Sequence, residues 1–70
     1  MRLEYYPDTD TLYIQLRDVP GSDAQPVAED IVFDFNEAGE VIGIEIGHAS
    51  RRIDLHDVRL SAIPVSGAMS

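Results

Sequence analysis

The chain has 70 residues, with five Arg and no Lys against 13 Asp and Glu, a net charge of −8 and a pI near 4.3. That balance excludes a nucleic-acid binder, because phosphate contacts need clustered cations and only Arg51 and Arg52 are adjacent. There is no cysteine for a disulfide and no Cys/His cluster for structural zinc. A single domain of this size buries only about 60% of its unfolded surface, so association with other chains is the remaining ordinary source of stability.

Met1-Arg-Leu-Glu-Tyr-Tyr6 contains no apolar signal segment, and no apolar run approaches the roughly 20 residues of a membrane span. The expectation is a soluble, cytoplasmic protein without membrane contact. Arg2 to Tyr6 reads as a first strand, with Leu3 and Tyr5 inward and Arg2, Glu4 and Tyr6 outward. Pro7-Asp-Thr-Asp10 is dense in turn formers: proline fixes φ, and Asp side chains bond nearby backbone amides. Residues 11–17 form the second strand, with Leu12, Ile14 and Leu16 on one side. A four-residue loop at 7–10 sets Tyr5 opposite Leu12 and Leu3 opposite Ile14.

Residues 18–28, with Pro20-Gly21, Ser22 and Pro26, read as a long loop. The stretch that follows organises the chain. Ile31, Phe33 and Phe35 alternate with Val32, Asp34 and Asn36, and Ile42, Ile44 and Ile46 alternate with Val41, Gly43 and Glu45. Between them, Asn36-Glu-Ala-Gly39 offers Asn to open a turn and Gly for a positive φ. A four-residue loop pairs Phe33 with Ile42 and Ile31 with Ile44, and so collects both apolar rows on one face. A three-residue loop sets Ile42 opposite Asp34 and divides the core, since a slip of one residue inverts a strand. Side-chain parity therefore favours the four-residue loop.

After Gly47 the alternation stops. Residues 48–53 suit a helical turn, and Asp54-Leu-His-Asp57 offers Asp as an N-cap with a second acid three residues on. Ile53, Leu55, Val58, Leu60 and Ile63 fall close to helical spacing and are expected to cover one face of the sheet. Pro64 ends any helix, leaving residues 64–70 as a frayed end. The fold class expected is α+β: a four-stranded antiparallel β-meander with a short C-terminal helical segment on one face. One domain spans 1–70, with the sheet at 1–47 and the helical tail at 48–63.

Three blocks carry a family likeness: Tyr6-Pro-Asp-Thr-Asp-Thr-Leu-Tyr-Ile-Gln-Leu16, Ile31-Val-Phe-Asp-Phe-Asn-Glu-Ala-Gly-Glu-Val-Ile-Gly-Ile-Glu-Ile46, and Ala49-Ser50. To about Ile53 the chain resembles a family of small bacterial domains known as domain of unknown function 2283. The chain departs from the pattern at His48, where similar chains carry Asp or Asn. The resemblance implies a four-stranded meander with a short helical tail and brings no catalytic or binding residue. Some relatives look like the acidic partners of small bacterial toxins.

If the loops at 7–10 and 36–39 emerge at the same end of a meander, Asp8, Asp10, Asn36, Glu37 and Glu40 gather there as oxygen ligands for a hard cation. The plainer account is that turns use Asp and Asn, and no cofactor is expected. His48 and His56 lie in different segments without a third ligand, and Gly-x-Ser-x-Gly is absent. Gly43, inside a strand, marks the close approach of another group, and Tyr13 or Tyr6 on the outer face fits that gap. The outer face, carrying Tyr6, Tyr13, Val32, Val41 and Gly43, is expected to be an interface. The reading is therefore not an enzyme but a protein–protein interaction module. It forms a homodimer or larger oligomer through the outer face or an exposed sheet edge, and it suits a basic protein as partner. The rival reading is a metal-dependent accessory or enzymatic domain using the acidic loops.

Overall fold

In a computed structural model that describes residues 1–62, the chain forms one five-stranded antiparallel sheet and a single turn of helix. The strands are β1 (Arg2–Tyr6), β2 (Thr11–Gln15), β3 (Asp23–Ala28), β4 (Ile31–Phe35) and β5 (Val41–Ile46), followed by α1 (Ala49–Arg52). Their order across the sheet is β1-β2-β5-β4-β3.

The first hairpin has the expected register, with Tyr5 opposite Leu12 and Leu3 opposite Ile14. Asp10 closes its turn at φ 56°, a left-handed conformation that Asp tolerates better than most residues. The central hairpin reaches the expected parity by a different route. Asn36 N–H donates to the Glu40 carbonyl at 3.0 Å, and Gly39, at φ 82°, donates to the Asn36 carbonyl, so the loop has three residues rather than four. Phe35 then stands opposite Val41, but Asp34 stands opposite Gly43, leaving Ile42 as a bulge. The extra residue moves the register by one, setting Phe33 opposite Ile44 and Ile31 opposite Ile46. Both apolar rows lie on one face, as parity required, although the pairs themselves are shifted.

The sheet is not a meander, and it has five strands instead of four. β2 runs beside β5, with Leu12 opposite Ile46 and Ile14 opposite Ile44. The segment expected to be a loop supplies β3, with Gln25 opposite Phe33 and Ala24 opposite Asp34. Pro26 is compatible with this strand because β3 lies at the sheet edge, where a missing N–H breaks no ladder bond. Its exposed and mostly small side chains, with Val27 the one large apolar group, explain why no alternation announces it. The centre goes to β5, the least polar of the five segments.

The helical tail is much shorter than its apolar spacing suggested. α1 ends at Arg52, and Ile53 is already extended at φ −139°, ψ 161°. Asp54 caps no helix; its carbonyl accepts from Asp57 N–H at 3.1 Å in an isolated turn. Val58 and Leu60 are 65% and 73% exposed, so they do not cover the sheet. Ile53/Leu55 and Val58/Leu60 are i, i+2 pairs with β-branched and Asp residues among them, a poor start for a short helix lacking an apolar stripe to bury. Ile63 and the stretch expected to fray lie outside the described residues. Among the described residues the buried apolar side chains are Leu12, Ile42 and Ala49.

Candidate functional site

At one end of the sheet Tyr5, Leu12, Ile46 and Ile31 form a transverse row, and the 7–10 turn, the 29–30 turn and α1 meet beyond it. Two left-handed acids fasten them. The Asp10 carbonyl accepts from Ala49 N–H at 2.8 Å. Its carboxylate accepts from the Tyr5 hydroxyl at 2.7 Å, from Ser50 N–H at 3.0 Å and from the Ser50 hydroxyl at 2.7 Å. Asp30, at φ 64°, accepts from Gly47 N–H at its carbonyl, while its carboxylate meets His48 Nδ1 at 2.9 Å and Arg52 Nε at 3.2 Å. His48 enters α1 at φ 52° and offers no side-chain cap, so the two Asp residues hold the helical turn from outside.

The electrostatics follow from these bonds. The Tyr5 hydroxyl, then Ser50, hold the Asp10 carboxyl below its ordinary value, while the same bond raises the Tyr5 phenol. His48, with Arg52 as a lesser donor, lowers Asp30. Ser50 and His48 are thus tied to different acids, and the bonds of neither assemble a nucleophile–base relay. His56 lies exposed in the turn that follows.

The cation ligands do not gather. Because β5 runs beside β2, the 36–39 loop lies at the opposite end of the sheet from the 7–10 turn. Asp8 and Asp10 are therefore at one end, and Glu37 and Glu40 at the other. Glu40 there accepts from Asn36 Nδ2 and Arg17 Nη1, both at 2.9 Å, and these donors lower its carboxyl, Asn36 foremost. Among the described residues no group of three or more His, Cys, Asp or Glu is placed to hold a metal ion.

On the outer face Tyr13 lies across Gly43, and its hydroxyl donates to Asp34 Oδ2 at 2.8 Å. A Cβ at Gly43 would collide with that hydroxyl and sit 2.8 Å from Tyr13 Cζ, so the tyrosine fills the gap the glycine leaves. Tyr6 and Val32 share this face, opposite Thr11 and Glu45 respectively. Val41 does not, because the bulge sets it opposite Phe35. Arg2 donates to Gln15 Oε1 on the same face.

The other face was expected to be covered by the tail, and among the described residues it is covered only in part, with Leu12 buried there. Leu3, Tyr5 and Leu16 are 49%, 41% and 36% exposed, and Ile14, Phe33, Phe35 and Ile44 are only half-buried. Among the described residues the one helix or strand outside the sheet is α1, which docks beside Asp10 at the end of the face that carries Leu12. Sequence reasoning missed this exposure because it assigned the tail to cover the face; the i, i+2 spacing after Ile53 is the signal that this assignment overlooked.

The chain belongs to the family described as protein of unknown function (DUF2283), whose model matches residues 2–50. The match ends at Ser50, the residue that Asp10 holds through two bonds. No curated protein and no solved structure matches the chain. Among the described residues no helix is long and apolar enough to cross a membrane.

Proposed function

We propose that this chain is a cytoplasmic protein–protein interaction module that self-associates and offers the apolar face of its sheet to a second protein. The observation that supports this reading is the half-exposed row of Ile14, Phe33, Phe35 and Ile44, flanked by the exposed Leu3, Tyr5 and Leu16. Five strands spaced about 4.8 Å apart and roughly 17 Å long present on the order of 400 Å² in projection, a scale at which an exposed apolar patch marks an interaction surface. The net charge of −8 favours a basic partner by steering its approach, which is the character of an antitoxin-like protein. The acidic loops give no comparable support to the metal-dependent reading, since the topology separates them.

Affinity-tagged wild-type chain and a Leu16→Glu variant, expressed in the native organism, test the reading. Leu16 is exposed enough for Glu to be accommodated, and circular dichroism verifies that the variant folds. The expected result is a basic polypeptide retained in stoichiometric amount by the wild type and lost from the variant. A folded wild type that retains no such polypeptide, or a variant that retains it equally, overturns the proposal.

A further inference from the structure

The two edges of the sheet are not alike. β3 is blunted by Pro26, which has no N–H to offer, and by a register shift between Pro26 and Ala28. β1 has neither. Its five residues pair with β2 in unbroken register, all five are exposed, and its outer side carries a straight row of backbone donors and acceptors. An edge of this kind is a template for one more strand.

We infer that β1 takes the β1 strand of a second copy, antiparallel about a two-fold axis at Leu3. Residues opposite each other in such a pair must share a face, which restricts the axis to one residue at a time. An axis at Leu3 sets Arg2 opposite Glu4 of the other copy, twice by symmetry, and sets Leu3 against Leu3 and Met1 against Tyr5 on the apolar face. An axis at Glu4 places two carboxylates directly opposite, a destabilising like-charge pair. An axis at Tyr5 brings Pro7 opposite Leu3 and ends the ladder. The charges therefore select the first register.

Arg2 has the capacity for this contact. Within its own chain it donates one bond to Gln15 at 2.6 Å and approaches Glu4 only to 3.8 Å, both groups being well exposed. A guanidinium has five donors, so most remain for the other copy's Glu4. The product is one continuous ten-stranded sheet, and the apolar rows of the two copies join across Leu3. The net charge opposes pairing, but salt screens it beyond about 8 Å. The inference rests on the self-association proposed above and assigns it an edge and a register.

Light scattering after size exclusion, from micromolar to millimolar concentration, reads the association against the 7.7 kDa chain. The expected result is twice that mass for the wild type. Arg2→Glu and Glu4→Arg should each weaken the dimer on the order of tenfold, since each turns two attractive pairs into repulsive ones. The double variant Arg2→Glu/Glu4→Arg should restore it, and Leu16→Glu should leave it intact. The chain has no cysteine, so Leu3→Cys adds an independent readout. Oxidation should link two copies through facing sulfurs, because opposed Cα atoms lie about 4.5–5.5 Å apart, within disulfide reach. Thermal melts confirm that every variant folds. A dimer indifferent to both charge changes and broken by Leu16→Glu overturns the edge assignment while leaving self-association standing. A monomeric mass at every concentration overturns both.

Discussion

On the outer face of the sheet Tyr13 lies across Gly43 and bonds Asp34, so the chain meets its own needs there. On the opposite face Ile14, Phe33 and Ile44 stand in a row that is only half-buried. The two faces are held differently: a glycine and a hydrogen-bonded tyrosine fix the mixed one, while the apolar one buries Leu12 but leaves its other large side chains partly exposed. The difference teaches that alternation identifies which residues share a face but not how fully that face is buried.

The sharpest way to break the contrast is to fill the gap on the mixed face. Gly43→Val should destabilise by about 2–3 kcal/mol, since the new side chain must displace Tyr13 and break its bond to Asp34. Phe33→Ala, on the apolar face, should cost less than the 3–5 kcal/mol typical of a buried Phe, about 2 kcal/mol for a half-buried ring. Urea unfolding of both variants as dilute monomers checks the order, and a reversed order would mean that packing on the apolar face outweighs the fit of Tyr13 against Gly43. A smaller effect isolates the bond itself. Tyr13→Phe and Asp34→Ala should each cost about 1 kcal/mol and the pair together little more than either alone, a coupling that a double-mutant cycle measures. Additive losses would show that the two groups act separately.

Titration gives the mildest test, and its sign differs between regions. Asp10 and Asp30 titrate below the ordinary carboxylate value in the folded chain. Their contribution is present above about pH 4 and is lost as pH falls through the lowered values. Tyr5 and Tyr13 are raised, so their contribution is present below about pH 10 and is lost as pH rises beyond it. Urea midpoints measured across pH should therefore fall at both extremes. Asp10→Asn should flatten the acid limb and also reduce the part of the alkaline loss that Tyr5 contributes, whereas Tyr13→Phe should reduce the alkaline loss alone.

What was legible in the sequence followed local rules. Parity placed Ile31, Phe33, Ile44 and Ile46 on one face, and a Gly within a strand announced a neighbour that proved to be Tyr13. The register of the central hairpin was not legible, because a three-residue loop plus a bulge at Ile42 restores the parity that a three-residue loop alone would destroy. β3 was hidden by Pro26, which an edge position makes compatible with a strand, and by small, exposed side chains that give no apolar alternation. The strand order was hidden too, and with it the separation of Asp8 and Asp10 from Glu37 and Glu40. The bonds from Ser50 to Asp10 span 40 positions, a distance at which no periodicity speaks.

The central place of β5 also sets the sequence of events in folding. Each hairpin can close alone over a short loop, but the sheet becomes continuous only when Leu12 meets Ile46 and Ile14 meets Ile44, residues at least 30 positions apart. Closing that large loop is the entropic obstacle, and the strand needed to overcome it is the last of the five to be synthesised. Until residues 41–46 arrive, two hairpins with unpaired inner edges wait side by side. Substitutions at Ile14 or Ile44 should therefore slow folding, whereas those at Leu3, on the far edge of β1, should chiefly hasten unfolding.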